Sequence, residues 1–221
     1  MPIHEHYEPG SPCWVDYAAL DPAGARAFYG ELFGWRFDES GGYEFIRLDG
    51  KVVGGFGRVP PGRALPASWN TYLATGDADA DAGRVRGLGG TVVFGPVDAG
   101  HDGRLLFAVD PSGVAVGFWQ GRRENGVVVV DEPGTWCRHE LWADDVAAAD
   151  SFYGGLFGTP ATAARRPGNG LAPQWVTFFR ADDCPAALTA AERLGATVAA
   201  RHGPATILHD PWGALFALTP L

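Results

Sequence analysis

The chain is poor in the residues that build redox, metal and membrane chemistry. It has three cysteines in 221 residues, Cys13, Cys137 and Cys184. Their odd number, wide spacing and lack of any CxxC pair exclude a zinc ribbon and a disulfide framework, and leave small buried thiols in a reducing compartment as the expectation. No segment approaches the ~20 consecutive apolar residues of a membrane span, and the first residues do not combine a basic stretch with an apolar run. A cytoplasmic protein is expected. Basic residues are outnumbered, 17 against 26 acidic, for a net charge of −9. Such a surface repels phosphate backbones and anionic bilayers, so neither nucleic acid nor membrane is an expected partner. No nucleophile elbow is found, and Gly87-Leu88-Gly89-Gly90 ends a helix rather than opening one, so it is not a phosphate loop.

What is present is repetition. Phe28-Tyr29-Gly30-Glu31-Leu32-Phe33-Gly34 returns as Phe152-Tyr153-Gly154-Gly155-Leu156-Phe157-Gly158, and Asp21 returns as Asp145. Leu88-Gly89-Gly90 corresponds to Leu194-Gly195-Ala196, and Asp110-Pro111-Ser112-Gly113 to Asp210-Pro211-Trp212-Gly213. The expected layout is a first half at 11–120, a linker at 121–134 and a second half at 135–221, each half burying a core. Within each half a weaker repeat reads strand, Asp, amphipathic helix, glycine stop, then short strands at Tyr43–Leu48, Val52–Phe56, Thr91–Phe94, Leu105–Val109 and Val114–Trp119. Residues 159–174 are too few for three strands of ~5–6 residues with turns, so the third repeat is expected to be a strand, a helix and a loop. The fold class is α+β, built from tandem βαβββ modules with the third truncated.

The run from Asp21 through Phe28-Tyr29 and Leu32-Phe33-Gly34 to Trp35, with the Leu-Gly-Gly and Asp-Pro-x-Gly turns, resembles the vicinal oxygen chelate superfamily of glyoxalases, bleomycin-binding proteins and extradiol dioxygenases. The resemblance covers nearly the whole chain and is greatest to a two-domain actinobacterial branch. It implies strands curled into cups that hold small ligands, with helices outside. Metal-binding members place His or Glu on the first strand of a module and Glu on the last. Here those positions carry Trp14, Asn70, Arg138 and Val176, then Gly117 and Ala217, so no family-type metal and no other cofactor is expected.

Residues two apart on a strand share a face. Asp16 therefore accompanies Trp14, and Glu140 accompanies Arg138, while His139 points to the opposite side. Trp14, Asp16, Asn70, Tyr72, Trp119, Arg138 and Glu140 form the expected ligand-binding set, with Asp16 and His101 as candidate catalytic groups. Arg165 and Arg166 are read as solvated. Indole and phenol walls suit a planar conjugated ligand. The leading expectation is metal-independent binding of a small aromatic natural product or metabolite in the first cup, for sequestration or for a partner enzyme. The alternative is a cofactor-independent isomerase, cyclase or lyase using Asp16 as acid or base, and a third reading, a metal-dependent glyoxalase or dioxygenase, requires relocated ligands that the sequence does not offer. A monomer or weak homodimer is expected.

Overall fold

The structure, a computed structural model, describes residues 6–40, 42–60, 62, 64–123, 125–158, 164–168 and 170–220. The first module is β1 (Pro12–Ala19), α1 (Pro22–Phe33), β2 (Arg36–Ser40), β3 (Tyr43–Leu48) and β4 (Lys51–Arg58). The second is β5 (Ser68–Ala74), α2 (Ala78–Gly87), β6 (Thr91–Ala99), β7 (Gly103–Val109) and β8 (Ala115–Gly121). The third holds β9 (Trp136–Trp142) and α3 (Val146–Phe157). The fourth restores the full set with β10 (Gln174–Ala181), α4 (Cys184–Arg193), β11 (Thr197–His202), β12 (Ala205–His209) and β13 (Leu215–Pro220). The order is the expected tandem βαβββ arrangement, with the third module truncated. The sequence reading had no strand at β2, which carries one apolar residue, Phe37, among charged neighbours. It lies at an edge, where charge protects an unpaired strand.

Local chemistry explains the repeated helices. Asp21, Asp77, Asp145 and Asp183 each cap a helix by accepting backbone N–H groups of the first turn. Gly34 and Gly158 end α1 and α3 at φ of 74° and 81°, a left-handed conformation that glycine adopts without steric cost.

Modules one and two form a sheet in the order β2-β3-β4-β1-β5-β8-β7-β6, and modules three and four a sheet in the order β11-β12-β13-β10-β9. In the first sheet β1 pairs in parallel with β4 and antiparallel with β5; β10 has the same relation to β13 and β9. Among the described residues, the place of a parallel neighbour to β9 is taken by a single bridge between Trp142 and Arg165.

The expectation that each half buries its own core holds for two smaller clusters, around Phe178 and around Tyr72, and is corrected for the two largest, which span both halves. One cluster joins Tyr17, Phe28, Tyr29 and Trp69 to Phe179, Leu208 and Phe216; a second joins Leu73, Val85, Leu106 and Phe118 to Leu141, Phe152, Tyr153 and Trp175. Module one thus shares its helix-side core with module four, and module two with module three. The stretch expected as a linker takes part, with Val127, Val129 and Val130 buried. Two tyrosines of the repeated motif cross between halves. Tyr29 donates to Asp210 at 2.9 Å, as does Tyr17 at 2.6 Å, and Tyr153 donates to Asp110 at 3.2 Å. Trp69 and Trp175 donate to the hydroxyls of Tyr29 and Tyr153. Each Asp-Pro-x-Gly turn therefore anchors the other half's helix through a buried, charge-assisted hydrogen bond. Of the cysteines, Cys13 is buried as expected, whereas Cys137 and Cys184 are partly exposed; all three are free thiols.

Candidate functional site

The face of the first sheet turned away from the helices carries the expected cluster. Asp16, only 7% exposed, accepts at Oδ1 from Asn70 Nδ2 at 2.8 Å and at Oδ2 from the hydroxyls of Tyr72 at 2.7 Å and Tyr43 at 3.1 Å. Trp14 Nε1 donates to Tyr43 at 3.1 Å, and Ser68 Oγ to Asn70 Oδ1 at 3.1 Å. The antiparallel register sets this up: Asp16 lies opposite Asn70 and Trp14 opposite Tyr72. Burial raises the Asp16 carboxyl above its ordinary value, partly offset by the three donors. The Tyr43 and Tyr72 phenols are held well above theirs, first by burial and then by the Asp16 charge. Tyr43 escaped the sequence reading because its strand lies two places from β1 and parity on a single strand carries no cross-strand information.

Two glycines make room for these phenols. A Cβ at Gly117 would fall within the Tyr72 ring, and one at Gly55 would meet the Tyr43 hydroxyl. Around the cluster Trp14, Tyr43, Phe45, Phe107 and Trp119 remain half-buried rather than packed away. Trp14 and Phe45 meet edge to face at 6.1 Å, as do Tyr72 and Phe107 at 5.4 Å. Trp119 also faces this side, its indole over Gly103. His101 is not brought to Asp16. It is exposed in the turn between β6 and β7, while β5 and β8 separate β1 from β7, a gap of roughly 14 Å at ~4.8 Å per strand.

In the second half Glu140, 9% exposed, is met by Arg138 Nε at 3.1 Å, Arg165 Nε at 3.4 Å, His202 Nε2 at 3.1 Å and Trp142 Nε1 at 3.2 Å. The Arg138 guanidinium lies 3.9 Å from the centre of the Phe178 ring, a cation–π contact. Arg165 corrects the reading that it is merely solvated, since its backbone bonds to Leu141 and Ala143 at the end of β9 and its side chain reaches Glu140. His202 was also missed, because a residue at the end of β11 gives no sign of meeting β9 across the sheet. His139 points to the other face, as expected. It is buried between Thr71 at 2.9 Å and Thr177 at 3.3 Å, with burial lowering its pKa to about 3.

The positions that hold metal in the resembling family do not fit one here. The Gly117 position is covered by the Tyr72 ring, Trp14 and Asn70 present N–H groups engaged with Tyr43 and Asp16, Arg138 is a cation, and Val176 and Ala217 are buried hydrocarbon. Only Asn70 carries an oxygen lone pair, at the Oδ1 that already accepts from Ser68, and one amide oxygen does not make a divalent-ion site, so no step is assigned to one.

A family model described as the glyoxalase/bleomycin resistance protein/dioxygenase superfamily matches residues 14–118. The glyoxylase-named protein CFP32 of Mycobacterium tuberculosis is 32% identical over 254 residues, covering 99% of this chain and 97% of that protein. The chain belongs to this superfamily. The anthracycline biosynthesis protein DnrV of Streptomyces peucetius is 31% identical over 260 residues, covering 97% of this chain and 94% of that one. Both alignments run over more positions than this chain has residues, so these relatives carry segments it lacks. Among solved structures, the Mn(II)-bound glyoxalase of Novosphingobium aromaticivorans superposes with a TM-score of 0.66 at 16% identity, covering 96% of this chain and 82% of that one. The 2,2',3-trihydroxybiphenyl 1,2-dioxygenase of Sphingomonas wittichii gives 0.64 at 15% identity, covering 97% and 91%. At that identity these two structures bear on the fold alone.

Proposed function

We propose that the helix-free face of the first sheet, around Asp16, binds a planar, largely aromatic natural product or metabolite without a metal. One observation carries the reading: five aromatic rings stay half-exposed around a buried carboxyl, where a purely structural face would pack or replace them. Flat rings suit offset stacking against a conjugated ligand. The naming of two relatives for anthracycline biosynthesis supports a polycyclic aromatic of that class. The role is sequestration or presentation to a partner enzyme.

The second reading is a cofactor-independent acid/base enzyme of isomerase, cyclase or lyase type. It is favoured by the upward-shifted Asp16 carboxyl, poised between two phenols. Tryptophan quenching against an anthracycline aglycone tests the first reading. Saturable binding is expected, weakened about 2–10-fold in Trp14→Ala by the loss of ~0.5–1.5 kcal/mol of stacking; absence of saturable quenching overturns it. Asp16→Asn separates the two readings: a binder keeps most of its affinity, whereas an enzyme binds and loses turnover.

A further inference from the structure

The second half carries a cluster of different chemistry. Beside Glu140 lies a cavity of about 60 Å³ whose lining residues include Arg165, Arg166, Arg201 and His202. Arg138, paired to the same Glu140, adds a fourth guanidinium to the cluster. In a chain of net charge −9, this concentration of positive charge runs against the average surface. Glu140 is the sole carboxylate to which any of these groups is paired among the described residues, and one carboxylate leaves four guanidiniums with an excess of three positive charges. Arg166 has no partner among the described residues, and Arg138 spends only its Nε on Glu140, its planar group resting on Phe178. Arg165 spends Nε on Glu140 and Nη1 on His202 at 2.9 Å, so the open donors are the fork of Arg166, the terminal nitrogens of Arg138 and one nitrogen of Arg165; paired guanidinium donors of this kind match a planar oxyanion.

The rest of the lining narrows the class. Trp142, Leu171 and Ala200 form an apolar side, continuous with the buried Phe178 and Ile207. At ~30 Å³ per water, the cavity has room for about two waters, the scale of one carboxylate head group. The site arises from the truncation itself. Where β1 has β4 as its parallel neighbour, β9 has, among the described residues, only the bridge at Arg165, so this part of the segment that stands in for the strands delivers guanidinium groups to that face. We infer that the second half binds a small organic carboxylate, its head group taken by Arg138, Arg165 and Arg166 and its apolar body laid against Trp142 and Leu171. This site is independent of the aromatic face on the first sheet.

Calorimetric titration of the full chain with sodium benzoate, benzyl alcohol and inorganic phosphate tests it. Benzoate is expected to bind once per chain, at least tenfold more weakly in Arg166→Ala and in Arg138→Met, and more tightly in Glu140→Gln, which removes the competing carboxylate. Asp16→Asn is expected to leave benzoate binding unchanged. Arg166 is exposed, so its replacement does not threaten folding; circular dichroism checks Arg138→Met. Benzoate binding that survives both arginine substitutions, benzyl alcohol binding as well as benzoate, phosphate binding in preference to it, or no saturable heat each overturns the inference.

Discussion

His139 gives the two-sheet assembly a defined sensitivity to acid. Its ring is buried where the halves meet, against Trp136 at 4.7 Å, with Nδ1 shared by Thr71 and Thr177 and Nε2 without a partner among the described residues. Protonation would place an uncompensated charge there, and burial lowers the pKa from 6.5 to about 3. Between those two values the unfolded chain binds the proton and the folded chain does not, so stability is fully present above pH 6.5 and declines as pH falls, levelling off below about 3. Each pH unit in that window costs about 1.36 kcal/mol. From pH 7.5 to 5.5 the histidine therefore removes about 1.4 kcal/mol, an effect absent from His139→Gln, which retains a polar group for the two threonines. Asp16 and Asp81, whose carboxyls are raised by burial, act in the opposite direction but do so in both proteins. Urea unfolding of wild type and variant at the two pH values isolates the difference. The variant is expected to gain about 1.4 kcal/mol on the wild type on going to pH 5.5, whatever its stability at pH 7.5. Parallel pH curves would refute the reasoning and mean that the ring is charged or solvated in the folded state.

Tyr153→Phe strips Asp110 of its donor from the other half and Trp175 of its acceptor, and is expected to cost about 1.5–3 kcal/mol in urea unfolding. Gly117→Ala forces a methyl group into the Tyr72 ring and is expected to cost at least ~1–3 kcal/mol, read as a lowered Tm, while displacing the phenol from Asp16. Because α4, Leu208 and Phe216 complete a core begun by α1, residues 135–221 expressed alone are expected to lack native dispersion in a two-dimensional amide NMR spectrum; a well-dispersed spectrum would contradict the shared core.

The parts of this molecule legible from sequence are those governed by short spacing. Asp21 and Gly34 bracket a helix through bonds within a few residues, and the parity of Asp16 with Trp14 and of Glu140 against His139 follows from strand geometry. The loss of three strands from the third module follows from chain length alone. What was not legible depends on which strands become neighbours and which faces meet. Tyr43 reaches Asp16 because β3 sits beside β4 and a glycine at position 55 lets its phenol through; His202 and Arg165 reach Glu140 from a strand end and a loop. The duplication carried more information than its use as a fold marker drew out. Tyr29 and Tyr153 recur with Asp110 and Asp210, and a repeated polar pair with both members buried needs a partner for each. Within one half Tyr29 does not pair with Asp110. It pairs with the copy in the other half, so the motif that marks the repeat is also the bond that joins the repeats.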